Sequence, residues 1–192
     1  MNRKLWGGLG AAALVLAVVA IVGAQNAPAE RWLHIRVDDT SDKGELVRVN
    51  LPLSVAEKVL PAVKAHNLEN GRIKLRDLHI RDVDVRAVLE AVRNSADGEF
   101  VTVESKTQKV RVAKKDGYLL INVREEKGDR TETVDVKLPM SIVDALLSGS
   151  PDELDLLAAI RVLQTHGDTE LVTVKERSQT VRIWVDSKNT SE

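Results

Sequence analysis

The chain carries two short stretches of strict alternation close together. Leu33, Ile35 and Val37 alternate with His34, Arg36 and Asp38, and Val47, Val49 and Leu51 alternate with Arg48 and Asn50. Period two sends successive side chains to opposite faces, so each stretch predicts a half-buried strand. The Asp38–Glu45 segment between them is rich in charge and turn formers, which predicts a hairpin. Pro52 cannot donate to a ladder, so the second strand stops there. A short helix should follow, carrying Val55, Val59 and Leu60, with Ser54 and Glu57 as a capping box. Val85, Val88, Leu89 and Val92, spaced three and four apart, predict a second helix capped by Asp82 or Asp84. After Asp97-Gly98 comes a closing hairpin in which Val101 and Val103 face Val110 and Val112.

The same order then returns. Leu119, Ile121 and Val123, followed by Val134, Val136, Leu138, Pro139 and Ser141, repeat the first hairpin and its exit; Ser141 and Asp144 repeat the capping pair. Leu156, Leu157, Ile160 and Leu163 repeat the second helix, opened by Ser150-Pro151-Asp152-Glu153. Val172, Val174, Val181 and Ile183 repeat the closing hairpin. The pattern reads as a tandem duplication, and the predicted fold is α+β: two tandem ββααββ repeats, each an antiparallel sheet with helices on one face. Pro139 follows Pro52 by 87 residues and Val172 follows Val101 by 71, so the first copy is 16 residues longer. The excess falls near residues 64–80, where Ile73, Leu75, Leu78 and Ile80 mostly alternate and predict an added strand or a lid over the helices. The predicted layout is a leader at 1–24, a linker at 25–30, the first repeat at 31–115, the second at 116–186 and a disordered tail at 187–192.

The leader follows from Arg3 and Lys4, the apolar stretch Leu5 to Val22, and the small-residue site Val22-Gly23-Ala24. These are the parts of a secretory signal peptide, and an uncleaved amino-terminal anchor is the alternative. The expected location is therefore periplasmic or extracellular, with membrane contact only through an uncleaved leader. The chain has no cysteine, which excludes a disulfide framework and a lipidated cysteine anchor. Of its 28 Lys and Arg, loss of Arg3 and Lys4 leaves 26 against 29 Asp and Glu, a balance that argues against nucleic acid as partner.

Little here carries chemistry. His34, His66, His79 and His166 lie on separate predicted elements without metal-ligand spacing, and Asp38, Asp39 and Asp42 lack the glycine and distal glutamate of a calcium loop. No phosphate loop, nucleophile elbow or cysteine nucleophile is present, so no catalytic residue, cofactor or metal is expected. What stands out is the face opposite the predicted core. It should present Trp32 and His34, then Tyr118 and Leu120, then Phe100 and Leu171 at matching positions, and Trp184, in a chain only 3% aromatic. Such a patch packs the two repeats together, closes a homodimer or docks a protein partner. Exposed edge strands could also accept a peptide.

These motifs, above all Val49-Asn50-Leu51-Pro52-Leu53-Ser54, resemble the small SHOCT-like domain found beside adhesin-like regions in bacterial envelope-stress proteins, in two copies over about 160 residues. The resemblance implies a role in envelope homeostasis or stress signalling and brings no catalytic residues. The expected function is that of an exported, non-enzymatic interaction protein, a sensor or accessory factor. A purely structural homodimer is the second expectation, and an enzyme with a site near residues 64–80 is the third.

Overall fold

The computed structural model describes residues 29–41, 44–65, 68–75 and 84–191. The leader, Leu78, Ile80 and the alternative cap Asp82 lie outside the described residues. The elements are β1 (Trp32–Asp39), β2 (Leu46–Pro52), α1 (Leu53–Val59), a one-turn 3-10 helix (Leu60–Ala62), β3 (Leu68–Glu69), β4 (Arg72–Lys74), α2 (Val85–Asn94), β5 (Gly98–Glu104) and β6 (Gln108–Lys115). They continue with β7 (Tyr118–Lys127), β8 (Arg130–Pro139), α3 (Met140–Leu146), β9 (Glu153–Asp155), α4 (Leu156–Thr165), β10 (Thr169–Glu176) and β11 (Gln179–Asp186).

The class is α+β and mostly antiparallel, but two separate sheets do not form. Eight strands make one sheet in the order β2-β1-β11-β10-β8-β7-β6-β5. The first hairpin sits on β11, with Leu33 opposite Val185, and the β5–β6 hairpin sits on β7 at the far side. A two-residue turn, Asp116-Gly117, makes the second of these joins, with φ of 53° and 79°. Both central residues have positive φ, the condition of a type I′ hairpin turn, and Asp-Gly between alternating apolar runs is its sequence signal. That signal spans the expected boundary between repeats, so pairing runs through the boundary instead of stopping at it.

Register then lines up whole rows. Val47, Val37, Val181, Val174, Val134, Val123, Val110 and Val103 lie side by side across all eight strands. Val49, Ile35, Ile183, Val172, Val136, Ile121, Val112 and Val101 form the next row. β-branched side chains suit this pleated surface. The helices pack on the same face, with α4 between α1 and α3, and α2 against α3. One core joins Leu53, Ile142, Ile160, Leu163 and Val185; a second joins Val92, Leu119, Val143, Leu147 and Leu154.

The extra residues of the first half do add strand. β3 and β4 are joined at Asn70-Gly71, and β4 pairs with β9, so Ile73 and Leu75 reach the second core. The caps differ from expectation in part. Asp84 caps α2 through the Ala87 amide at 2.9 Å, but α4 is capped by Asp155, and Ser150 instead bonds Glu153. α1 and α3 begin directly after Pro52 and Pro139 without side-chain caps. Ser54 instead donates to Glu30, which frees Glu57 to bind Arg161 and Gln164 on α4. The expected disordered tail folds back through Ser191, which is buried.

Gly71 has φ of 74°, and a Cβ there would stand 3.2 Å from Leu157 Cβ; Gly117 has φ of 79° and open space. Gly117→Ala should cost about 1 kcal/mol from backbone strain alone. Gly71→Ala should cost more, because crowding adds to the same strain. Equal melting temperatures for the two variants would show that Leu157 does not constrain the turn.

Candidate functional site

The expected outer patch divides into separate clusters on the sheet. Trp32 and His34 on β1 adjoin Trp184 on β11, since His34 and Trp184 are direct cross-strand partners with stacked rings 4.9 Å apart. Tyr118 and Leu120 lie on β7, with β10 and β8 intervening, and Lys137 stands over the Tyr118 ring at 4.3 Å. Both clusters are half-buried or buried, so they do not make one continuous exposed apolar surface.

His34 is the most enclosed of them, with no exposed surface. Its Nδ1 lies 2.6 Å from Asn50 Oδ1. Its Nε2 faces two acceptors, Asp186 Oδ1 and the Lys188 carbonyl, each at 3.1 Å, and therefore donates. Trp184 Nε1 donates to the other Asp186 oxygen at 2.9 Å. Burial raises the Asp186 pKa, but the Lys188 amide and the Trp184 and His34 bonds outweigh it and leave the carboxyl below its ordinary value. The network spans β2, β1, β11 and the returning tail. Its chemistry is that of a clasp between the first hairpin and the last strand.

Leu171 is not on the outer face. A bulge between Glu170 and Val172 shifts the alternation and turns Leu171 into the first core. β5 has the matching irregularity between Glu99 and Val101, which places Phe100 at the corresponding position, yet Phe100 is exposed.

The rest of the outer face is polar. Arg48, Arg36 and Arg182 stand in register on β2, β1 and β11, and a shallow depression there is lined by Arg36, Asp38, Thr40, Arg177, Thr180 and Arg182. Arg36 pairs with Asp38 at 2.8 Å, and Arg182 pairs with Glu170. The Arg182 bond holds Glu170 below the ordinary carboxylate range, with burial opposing and Thr173 assisting. Among the described residues there is no group of three or more potential metal ligands, and no helix is long and apolar enough to cross a membrane.

What the pattern of alternation misses is on the other face. Val47, Val49, Val101 and Val103, all expected in the core, are exposed, as are Val55 on α1 and Val88 on α2. They flank the two ends of the sheet, β2 and β5. Alternation tells which face a residue joins. It carries no signal for whether anything covers that face at its edges.

Two outcomes test the clasp. His34→Ala leaves the Asp186 carboxylate and the Lys188 carbonyl short of a donor and should cost about 2 kcal/mol in urea unfolding. Asp186 has a folded pKa depressed below its unfolded value, so its contribution is present above the unfolded pKa of about 3.9 and is lost as pH falls through the folded one. Unfolding curves should therefore show stability declining below about pH 4, with a shallower decline in Asp186→Asn.

The described geometry can be set beside known proteins. No curated protein and no solved structure matches the chain. A family model does: that of the YvlB-like protein, C-terminal domain, over residues 31–113. This corrects the resemblance drawn from the sequence motifs, because the match is to this domain, once, and not to a SHOCT-like domain in two copies. The matched stretch runs from β1 to β6, and its two hairpins stand at opposite ends of the eight-stranded sheet. The similarity of this chain is thus to a YvlB-like C-terminal domain across its first half.

Proposed function

We propose that this is an exported bacterial envelope protein that works by protein contact and not by catalysis. The observation that carries the reading is the exposed apolar border formed by Val47 and Val49 on β2 and by Val101 and Val103 on β5. Open strand edges carry unpaired backbone donors and acceptors, and exposed apolar side chains beside them favour pairing with another strand. The polar groups on the outer face are largely engaged with one another, which fits a surface that is solvated and not reactive. Within the same proposal the chain is a duplicated ββααββ unit. Each strand of the first copy then has a counterpart half a sheet away, since β2-β1-β11-β10 and β8-β7-β6-β5 follow one plan. The basic and apolar leader supports export, and a role in envelope homeostasis is the setting that an exported, contact-making protein suits.

Two measurements test this. Residues 1–40 fused to a reporter active only outside the cytoplasm should switch it on, and a silent reporter overturns export. A photo-crosslinking residue at position 103 of the full chain should trap a protein in living cells, whereas the same residue at Asn122 on the solvated face should not. Absence of any adduct at 103 overturns the contact reading.

A further inference from the structure

Several exposed apolar residues of the first half have sequence counterparts that build a junction in the second. Adding 87 residues takes Val55 to Ile142, and adding 71 takes Val88 to Ala159 and Phe100 to Leu171. Val55 is 42% exposed where Ile142 is 4%, Val88 47% where Ala159 is 3%, and Phe100 39% where Leu171 is 7%. The contrast has one cause. In the second half β10 pairs with β8, and α4 packs on α3. In the first half the corresponding strands, β5 and β2, are the two ends of the sheet, and α1 packs on α4 while α2 packs on α3.

Each side of this open seam is fastened to the second half. Glu57 of α1 bonds Arg161 and Gln164 of α4. Arg86 of α2 donates to the carbonyls of Leu147, Ser150 and Glu153, and β4 is paired with β9. One molecule therefore presents both halves of a complementary joint and holds them at opposite ends of its sheet. A second molecule presents the same two halves.

We infer that the occupant of the seam is a second copy of this chain, with β5 of one molecule pairing antiparallel to β2 of the other. The inference rests on the reading of the valine border as a contact surface and names its partner. The β8–β10 junction supplies the register: Val136 opposite Val172 and Val134 opposite Val174 translate to Val49 opposite Val101 and Val47 opposite Val103. Phe100 then seats against Val55 of the partner's α1, as Leu171 seats with Ile142 in the first core. A two-fold axis forms the joint twice, once with each edge, and leaves the combined sheet without a free edge.

The absence of native cysteine makes the test clean. Full chains bearing Val49→Cys alone and Val101→Cys alone are mixed and oxidised. Directly opposed residues of an antiparallel pair lie within disulfide reach, so the mixture should yield a covalent heterodimer, while either variant alone should yield none. In parallel, the unmodified chain should sediment as a dimer, and Val101→Lys should weaken it at least about tenfold without a comparable loss in melting temperature. A Val49→Cys/Val101→Cys double variant separates the remaining outcomes. A disulfide closed within one chain would overturn both the second copy and the contact surface, because the molecule would seal its own seam. A monomer that forms no disulfide in any combination would overturn the second copy while leaving the border to a different protein.

Discussion

The pairing of the first strand with the last holds this molecule together. β1 and β11 run antiparallel over their full lengths, from Trp32 opposite Asp186 to Asp39 opposite Gln179. That single ladder fixes the faces of every other strand, because side chains alternate and pairing transmits the alternation outward. A slip of β1 by one residue would drive His34 into the helical core and Leu33 out of it. The His34 network stands against such a slip, since its bonds to Asn50, Asp186 and Lys188 are available in one register only. Because the partners lie so far apart in sequence, this ladder also carries a large loop-closure cost, which is offset only when the flanking hairpins and helices are in place.

From that ladder follows a division of labour between the two faces. The helix side is built from β-branched rows and two apolar cores. The other side is built from ionic and hydrogen-bonded pairs, Arg36 with Asp38, Arg182 with Glu170 and Asn122 with Asp135. Exposed pairs of this kind add little stability individually. Their larger effect is to keep this face of the sheet solvated where it meets water. On the helix side the apolar border at β2 and β5 is left exposed, and it occurs where the ladder ends.

The added hairpin in the first half has a clear mechanical part in this arrangement. By pairing β4 with β9 and placing Ile73 and Leu75 in the second core, it ties the first half's long connection to the second half. The corresponding connection in the second half is shorter and runs through α3, β9 and α4 to bring β10 against β8. The difference between the halves is thus one of wiring. Similar strands and helices form in each, but only one half is closed on itself.

Much of this was legible in the residues. Alternation located the sheet strands because burying one face of a strand demands it, and the three-four spacing located α2 and α4 for the corresponding reason in a helix. The proline exits and the cap at Asp84 are local chemistry, and local chemistry is written in adjacent residues. What tertiary structure alone decided is which strands meet and what lies over them. It assigned the first hairpin to β11, exchanged the expected capping boxes for contacts from Glu30 to Ser54 and from α4 to Glu57, and turned Leu171 inward through a bulge. It also left Val101 exposed where its counterpart Val172 packs against the core. The physical reason is that a period of two specifies a face and says nothing of a neighbour, so two valines with the same local sequence can end in a core or at an edge.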